Sequence, residues 1–326
     1  MFVRDLQPGA EIDCVLLVRE AQLRARPDGG PVLRLSLGDR TGSLPATVRE
    51  DVAAIARIAT VGEPVRVGGR VRVEGRREPE LELRAIGAPE PGSYHLDDLV
   101  DGPPRAAEQM EADLRELLAT VQDRDLRRLL DAVFGPDSPL WERYRAAPAA
   151  KRFHQAYRHG LLEHSLSVAQ AVSAISATFS EVNRDVAVAG ALLHDIGKLE
   201  AYAFAGNAIE MTDAGKLQGE IALGYYRIRR LIDAIAGFAP QTAEAVLHII
   251  LSHHGSLEHG SPVVPCTREA TLVHFCDNLG GRLGSFDRLE KQLPSGERWS
   301  SFDRAIGGGA YFATVPAGGH ETRKAA

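Results

Sequence analysis

Four short stretches of this chain carry side chains that bind cations: His164 in "RHGLLEHSLSV", His194-Asp195 in "ALLHDIGKLE", His253-His254 in "IILSHHGSLEHG" and Asp277 in "TLVHFCDNL". Val168, Val172 and Ile175 follow His164 at helical offsets, so that imidazole shares a core-facing stripe. His194-Asp195 closes an apolar run, with Gly197 allowing a sharp exit; His253-His254 also stands just before a glycine, Gly255. Taken singly, each residue reads as a helix cap, a hydrogen-bonded core group or a surface charge. Taken together, they are explained by one divalent-metal site, because neutral imidazoles and carboxylates are the usual ligands of Mn, Fe, Zn or Mg. Ligands drawn from several helices are a known way to build such a site inside a bundle.

The elements needed to position them are visible in the periodicity. Residues 1–90 alternate apolar and polar in "IDCVLLVREAQL", "PVLRLSLGD", "SLPATVRE", "EPVRVGGRVRVEG" and "ELELRAIG", with a short helical stretch, "DVAAIARIATVG", after the third. Five strands with one helix in that place is the order of an OB-fold, with a generic small β-barrel as the alternative. Arg34, Arg49, Arg66, Arg70 and Arg72 on these strands either line a phosphate-tracking groove or simply face solvent among nearly as many acids. A Pro-, Gly- and Asp-rich linker spans 91–106. Helical periodicity then runs through 107–131, 161–178, 184–195, 215–236, 240–253 and 267–289. The domains expected are 1–90, an OB-fold, and 107–306, an all-α bundle, followed by a flexible tail at 307–326. The class is α+β, multidomain.

The chain has 326 residues, a net charge of -6 and 6% aromatics, so no global basic field advertises nucleic acid, and a local basic groove stays open. Three cysteines without a C-x-x-C pair fit a reducing cytoplasm rather than a disulfide framework. The N-terminus does not read as a signal peptide, and no run approaches the ~20 apolar residues of a membrane span.

The order His164, His194-Asp195, Asp277 resembles the HD-domain superfamily of metal-dependent phosphohydrolases. The blocks "FHQAYRHGLLEHSLSVA", "LLHDIGK", "LQGEIALG", "ILSHHGSLEHGSPVVPCTREA" and "HFCDNL" look like those of the YhaM-type 3′–5′ exoribonucleases, in which an OB domain precedes the HD domain. The resemblance covers about residues 10–290. It implies a first metal on His164, His194, Asp195 and Asp277, with Asp195 bridging to a second helped by His253 and His254. It places Lys198 beside a substrate phosphate. Mn is the expected ion, with Mg, Fe, Co or Zn as further candidates, one or two per site. The substrate implied is single-stranded RNA, with single-stranded DNA as a further candidate, released as nucleoside 5′-monophosphates by metal-activated water.

One position departs from the family pattern. Glu220 stands where the family has a histidine for the second metal. A carboxylate there is a ligand for a harder ion, the mark of a one-metal site, or a surface acid. Gly280-Gly281 also looks unusual and is expected to loosen its helix. His154, Tyr157, Arg158 and His159 precede the first block; Tyr157 and Arg158 are candidate substrate contacts. His248 and His274 read as core or supporting residues, and Glu258 and His259 as the site entrance or solvated loop. Two other functions remain: hydrolysis of small nucleotides, and a non-catalytic RNA-binding or signalling module with a decayed HD site. Aromatics are nearly absent from the barrel, which weakens base stacking there. A cytoplasmic protein and a homo-oligomer are expected.

Overall fold

Alternation in the first half closes into a barrel. A computed structural model describes residues 2–26, 30–73, 79–151, 155–294 and 296–313. The strands are β1 (Glu11–Ala25), β2 (Pro31–Asp39), β3 (Gly42–Val48), β4 (Pro64–Arg72) and β5 (Glu80–Gly87), with α1 (Val52–Ile58) between β3 and β4. They pair in the order β1-β2-β3-β5-β4, and β1 closes the ring by pairing with both β2 and β4. This is the OB-like barrel that the strand and helix order implies. In β4, Val65, Val67 and Val71 point inward onto Leu16, Val18, Leu35, Leu37 and Leu81, while Arg66, Arg70 and Arg72 point out. At the bulge between Gly68 and Gly69 the neighbouring strand comes so close that a Cβ on Gly69 would lie 2.3 Å from the Glu82 carbonyl oxygen.

The second half is helical: α2 (Leu96–Leu99), α3 (Ala107–Ala119), α4 (Arg124–Phe134), α5 (Trp141–Ala146), α6 (Gly160–Ser176), α7 (Arg184–Leu193) and α8 (Lys198–Ala201). A hairpin, β6 (Tyr202–Ala205) and β7 (Ala208–Met211), intervenes before α9 (Asp213–Gln218), α10 (Glu220–Ala234), α11 (Pro240–Ser252) and α12 (Arg268–Gln292). The core gathers Leu126, Phe134, Tyr144, Leu162, Leu166, Leu192, Ile228, Val246, Ile250 and Val273. From Val186 to Leu193 every residue of α7 is buried, so this helix is apolar all round and sits at the centre.

Two expected helices are interrupted. The stretch 107–131 breaks between α3 and α4, where the Asp123 carboxylate accepts from the backbone N–H groups of Asp125 and Leu126 and caps a new helix. The stretch 215–236 breaks at Gly219, whose φ of +77° is left-handed. The hairpin β6–β7 interrupts the expected run of helices. It fastens the bundle to the barrel, because both the backbone N–H and the side-chain amide of Asn207 donate to the Gly62 carbonyl. Further ties run from Lys151 to Glu20, 3.2 Å, and from the Arg40 N–H to the Asp98 carbonyl. Between the two bodies lies a cleft of about 1270 Å³. Among the described residues no helix is long and apolar enough to cross a membrane. Cys14, Cys266 and Cys276 are free thiols.

The tight turn after α7 depends on Gly197. A Cβ there would lie 1.9 Å from the Glu220 carbonyl oxygen and 2.5 Å from the Gly224 nitrogen, so α10 packs directly on the turn's backbone. Gly197→Ala is expected to destabilise the fold by about 1–3 kcal/mol through forced displacement of α10. Urea unfolding of the variant beside the parent checks this; an unchanged midpoint would contradict the packing described.

Candidate metal centre

Two of the histidines sit at helix C-termini, where carbonyl oxygens lack intrahelical partners. The Nδ1–H of His194 donates to the Ala191 carbonyl at 2.7 Å, and that of His253 to the Ile250 carbonyl at 2.8 Å. The same helix ends that need donors thereby fix both rings and turn each Nε2 inward. Tyr144 holds the end of α7 from the other side by donating to the Leu192 carbonyl at 2.8 Å. His164 comes from the buried face of α6, and Asp277 from α12 across it. Gly280, one turn on, lies against His164: a Cβ there would be 3.9 Å from the imidazole Cε1. The glycine pair does not break α12, which runs unbroken from Arg268 to Gln292.

Four donor atoms converge. His164 Nε2 lies 3.0 Å from Asp277 Oδ1, 3.4 Å from Asp195 Oδ2 and 3.3 Å from His194 Nε2. His194 Nε2 lies 3.3 Å from Asp195 Oδ2 and 3.6 Å from Asp277 Oδ1. Ligands each about 2.1 Å from one shared ion stand about 3.0–3.5 Å apart, so these spacings fit donors around a single cation. His164, His194 and Asp277 alone form a compact set with the composition of a divalent-metal site.

Asp195 faces two ways. Its Oδ2 joins the first group, while Oδ1 is buried without a hydrogen-bond partner, as is His253 Nε2, 3.6 Å away. An unpartnered buried acceptor costs about 1–3 kcal/mol, and two aimed at each other are what a second cation would satisfy. Beyond them His254 Nε2 approaches Glu220 Oε1 at 3.9 Å. The Nδ1–H of His254 donates to the His259 carbonyl at 2.9 Å. Lys198 is buried and its ammonium donates to Asp195 Oδ2 at 2.5 Å.

Charge holds this cluster together. Burial opposes ionisation of Asp195, but Lys198 and His194 beside it hold its carboxyl well below the ordinary range. Burial likewise opposes charge on Asp277, and the His164 and His194 imidazoles hold that carboxyl down too. Burial alone would lower His194, yet Asp195 and Asp277 push it up to about 10. Burial and the neighbouring His253 lower His254, favouring its neutral, ligating form.

The remaining candidates lie elsewhere. Tyr157 and Arg158 line the cleft between the two bodies, with the Tyr157 hydroxyl donating to buried Glu163 at 2.6 Å. His159 accepts no such place: its ring bonds the Arg145 carbonyl in a helix–loop contact. His248 accepts from the Cys266 N–H, and His274 bonds the His253 carbonyl at 2.7 Å, bracing the ligand turn from α12. His259 and exposed Glu258 belong to the loop beside His254. His154 lies outside the described residues. Of the barrel arginines, Arg66 is paired with Asp13 at 2.8 Å, Arg70 with Glu11 at 3.9 Å and Arg72 with Glu82 at 2.7 Å, so these are solvated strand faces. Arg34 does line the cleft, together with Arg24, Arg40 and Lys151, which the sequence did not single out.

Because the His194 value lies above the ordinary 6.5, protein stripped of divalent ions carries a stabilising proton there. That contribution is complete below pH 6.5 and lost as pH rises through about 10. Added Mn must displace the proton. Its affinity is therefore expected to rise with pH across that window, with close to one proton released per ion. Calorimetric titration in buffers of different ionisation heat measures this; a pH-independent affinity without proton release would contradict it.

Residues 161–281 match the HD domain family. Along most of its length the chain is similar to proteins named 3′-5′ exoribonuclease YhaM. It is 27% identical to that of Geobacillus sp. (strain WCH70) over 290 residues, 89% of this chain and 88% of the relative. It is 26% identical to that of Bacillus subtilis (strain 168) over 292 residues, 89% of this chain and 90% of the relative. The match to Listeria welshimeri is also 26%, over 90% of this chain and 92% of the relative. The matches agree with the resemblance carried by the sequence motifs: the helical stretch behind the OB-like barrel matches the HD domain family, and most of the chain is similar in sequence to the YhaM exoribonucleases.

Proposed function

We propose that the chain is a metal-dependent 3′–5′ exoribonuclease acting on single-stranded RNA. The observation that carries this reading is the convergence of His164, His194, Asp195 and Asp277 donors within 3.0–3.6 Å of their neighbours. These four would hold a first divalent ion. Asp195 Oδ1, His253, His254 and Glu220 would hold a second, and the carboxylate of Glu220 in place of an imidazole favours a hard ion, Mn or Mg. Divalent ions held by these residues would supply Lewis acidity for activating water and for offsetting charge on the phosphoryl oxygens.

The protein's own residues do the rest. Lys198 orients Asp195 and supplies one of the positive charges that keep its carboxylate buried and ionised. From that place its ammonium would also act on a substrate phosphate held at the metals. Arg24, Arg34 and Arg40 from the barrel and Arg158 from the bundle face one cleft, which suits a phosphate backbone passing between the two bodies. The cleft, about 1270 Å³, is somewhat larger than the roughly 300–1,000 Å³ of small-ligand pockets and has room for several nucleotides of a strand. The same phosphate contacts would admit single-stranded DNA.

A 5′-labelled single-stranded RNA incubated with metal-stripped protein and restored Mn is expected to give a descending ladder of 5′-labelled products. Asp195→Ala is expected to abolish it. Arg34→Ala and Arg158→Ala are each expected to weaken RNA binding and to lower the slope of log affinity against log salt by about 0.7. Intact RNA after incubation of folded protein with each candidate metal would contradict the proposal, and unchanged salt slopes would remove the cleft from it.

A further inference from the structure

The barrel supplies electrostatics but little for bases to stack on: Phe2 is its one aromatic, and Arg4 and Arg40 already cover that ring. The bundle adds Phe204 to the cleft lining, and three exposed aromatics gather after α12. Trp299 is 62% exposed and Tyr311 49%, with ring centroids 5.0 Å apart and planes tilted by 50°. Phe302, beside them in sequence, is 71% exposed.

This pair is held deliberately in place rather than left at a loose end. Trp299 and Tyr311 face each other across an antiparallel bridge, flanked by Ser300 N–H to Ala310 carbonyl, 2.9 Å, and Phe312 N–H to Arg298 carbonyl, 2.8 Å. Ala310 is fully buried beneath the turn. Asp303 closes the loop by accepting from the Ala305 and Ile306 N–H groups. Its other oxygen accepts from Arg288 of α12 at 2.6 Å, while Phe312 packs on Phe286. Arg288 also lines the cleft, as does Asp287 next to it. The aromatic pair is therefore anchored on the turn of α12 that walls the proposed RNA path. The expected tail 307–326 is folded here through residue 313, and 314–326 lie outside the described residues.

We infer that Trp299 and Tyr311 form a base-stacking site for the single-stranded substrate, a sequence-tolerant clamp in which a nucleobase lies against the exposed rings. The inference rests on the exoribonuclease reading. Every base offers a π face, and two exposed rings on a braced loop lose little conformational freedom on contact. Arg298 and Arg304, both exposed, stand on the same loop for the flanking phosphates.

Tryptophan emission tests it directly, since the only other tryptophan, Trp141, is buried against Phe134 and Arg115. The full chain is titrated with a 12-nucleotide oligoadenylate, with chelator present to halt cleavage. Quenching is expected in the parent and is expected to vanish in Trp299→Leu. The double variant Trp299→Leu/Tyr311→Leu is expected to bind about 5- to 100-fold more weakly, and Trp299→Phe to recover most of that loss. Absence of quenching with equal affinity in the double variant, while the parent still degrades RNA with Mn, would overturn this inference alone. So would a double variant that sediments as a smaller species with unaltered RNA binding, which would make the pair a contact between copies. A parent that neither binds nor cleaves RNA would remove the exoribonuclease reading together with it.

Discussion

Two carboxylates, Asp195 and Asp277, are held ionised inside a helical bundle, and the architecture around them answers that constraint. Isolated buried carboxylates are unaffordable. Here Lys198 and His194 bring positive charge beside Asp195, and the His164 and His194 imidazoles hydrogen-bond Asp277, which keeps both acids ionised. Divalent cations would satisfy the same groups more completely, because a second ion would partner Asp195 Oδ1 and His253 Nε2, which the protein's own donors leave unmet. Site and core are thus one problem: the residues that would hold the ion are the residues that must be neutralised for α6, α7, α11 and α12 to pack.

The fold meets this with helix ends. α7 is buried on every side, so its C-terminus delivers His194 and Asp195 to the middle of the bundle rather than to its surface. The terminal carbonyls that a buried helix must satisfy are the ones that take the Nδ1–H of His194 and His253. Gly197 lets the chain leave at once under α10, which brings Glu220 near His254. His274 braces the second ligand turn from α12. The barrel takes no part in this centre; it forms one wall of the cleft and is pinned to the bundle through Asn207 and Gly62.

The barrel was legible because alternation is a local signal: Val65, Val67 and Val71 announce the inner face of β4 without any partner strand. The residues that converge at the candidate metal centre were legible as an ordered set of His and Asp motifs. What escaped reading depends on partners far away in the chain. Whether Arg66, Arg70 and Arg72 could serve a phosphate was decided by register, which sets Asp13, Glu11 and Glu82 beside them. The cleft wall joins Arg24 and Arg34 to Arg158 across more than a hundred residues. The hairpin around Gly206-Asn207 carried a two-residue turn signal inside a stretch otherwise short enough to pass for a loop. The break at Asp123 follows from an N-cap that helical periodicity alone smooths over.

A cation at the convergence of these four side chains is the central expectation. Anomalous diffraction from crystals grown with Mn, collected on both sides of the Mn absorption edge, tests that most directly. An edge-dependent peak bonded to His164 Nε2, His194 Nε2, Asp195 Oδ2 and Asp277 Oδ1 is expected. Ordered side chains keeping their direct contacts in saturating Mn, with no such peak among them, would contradict it.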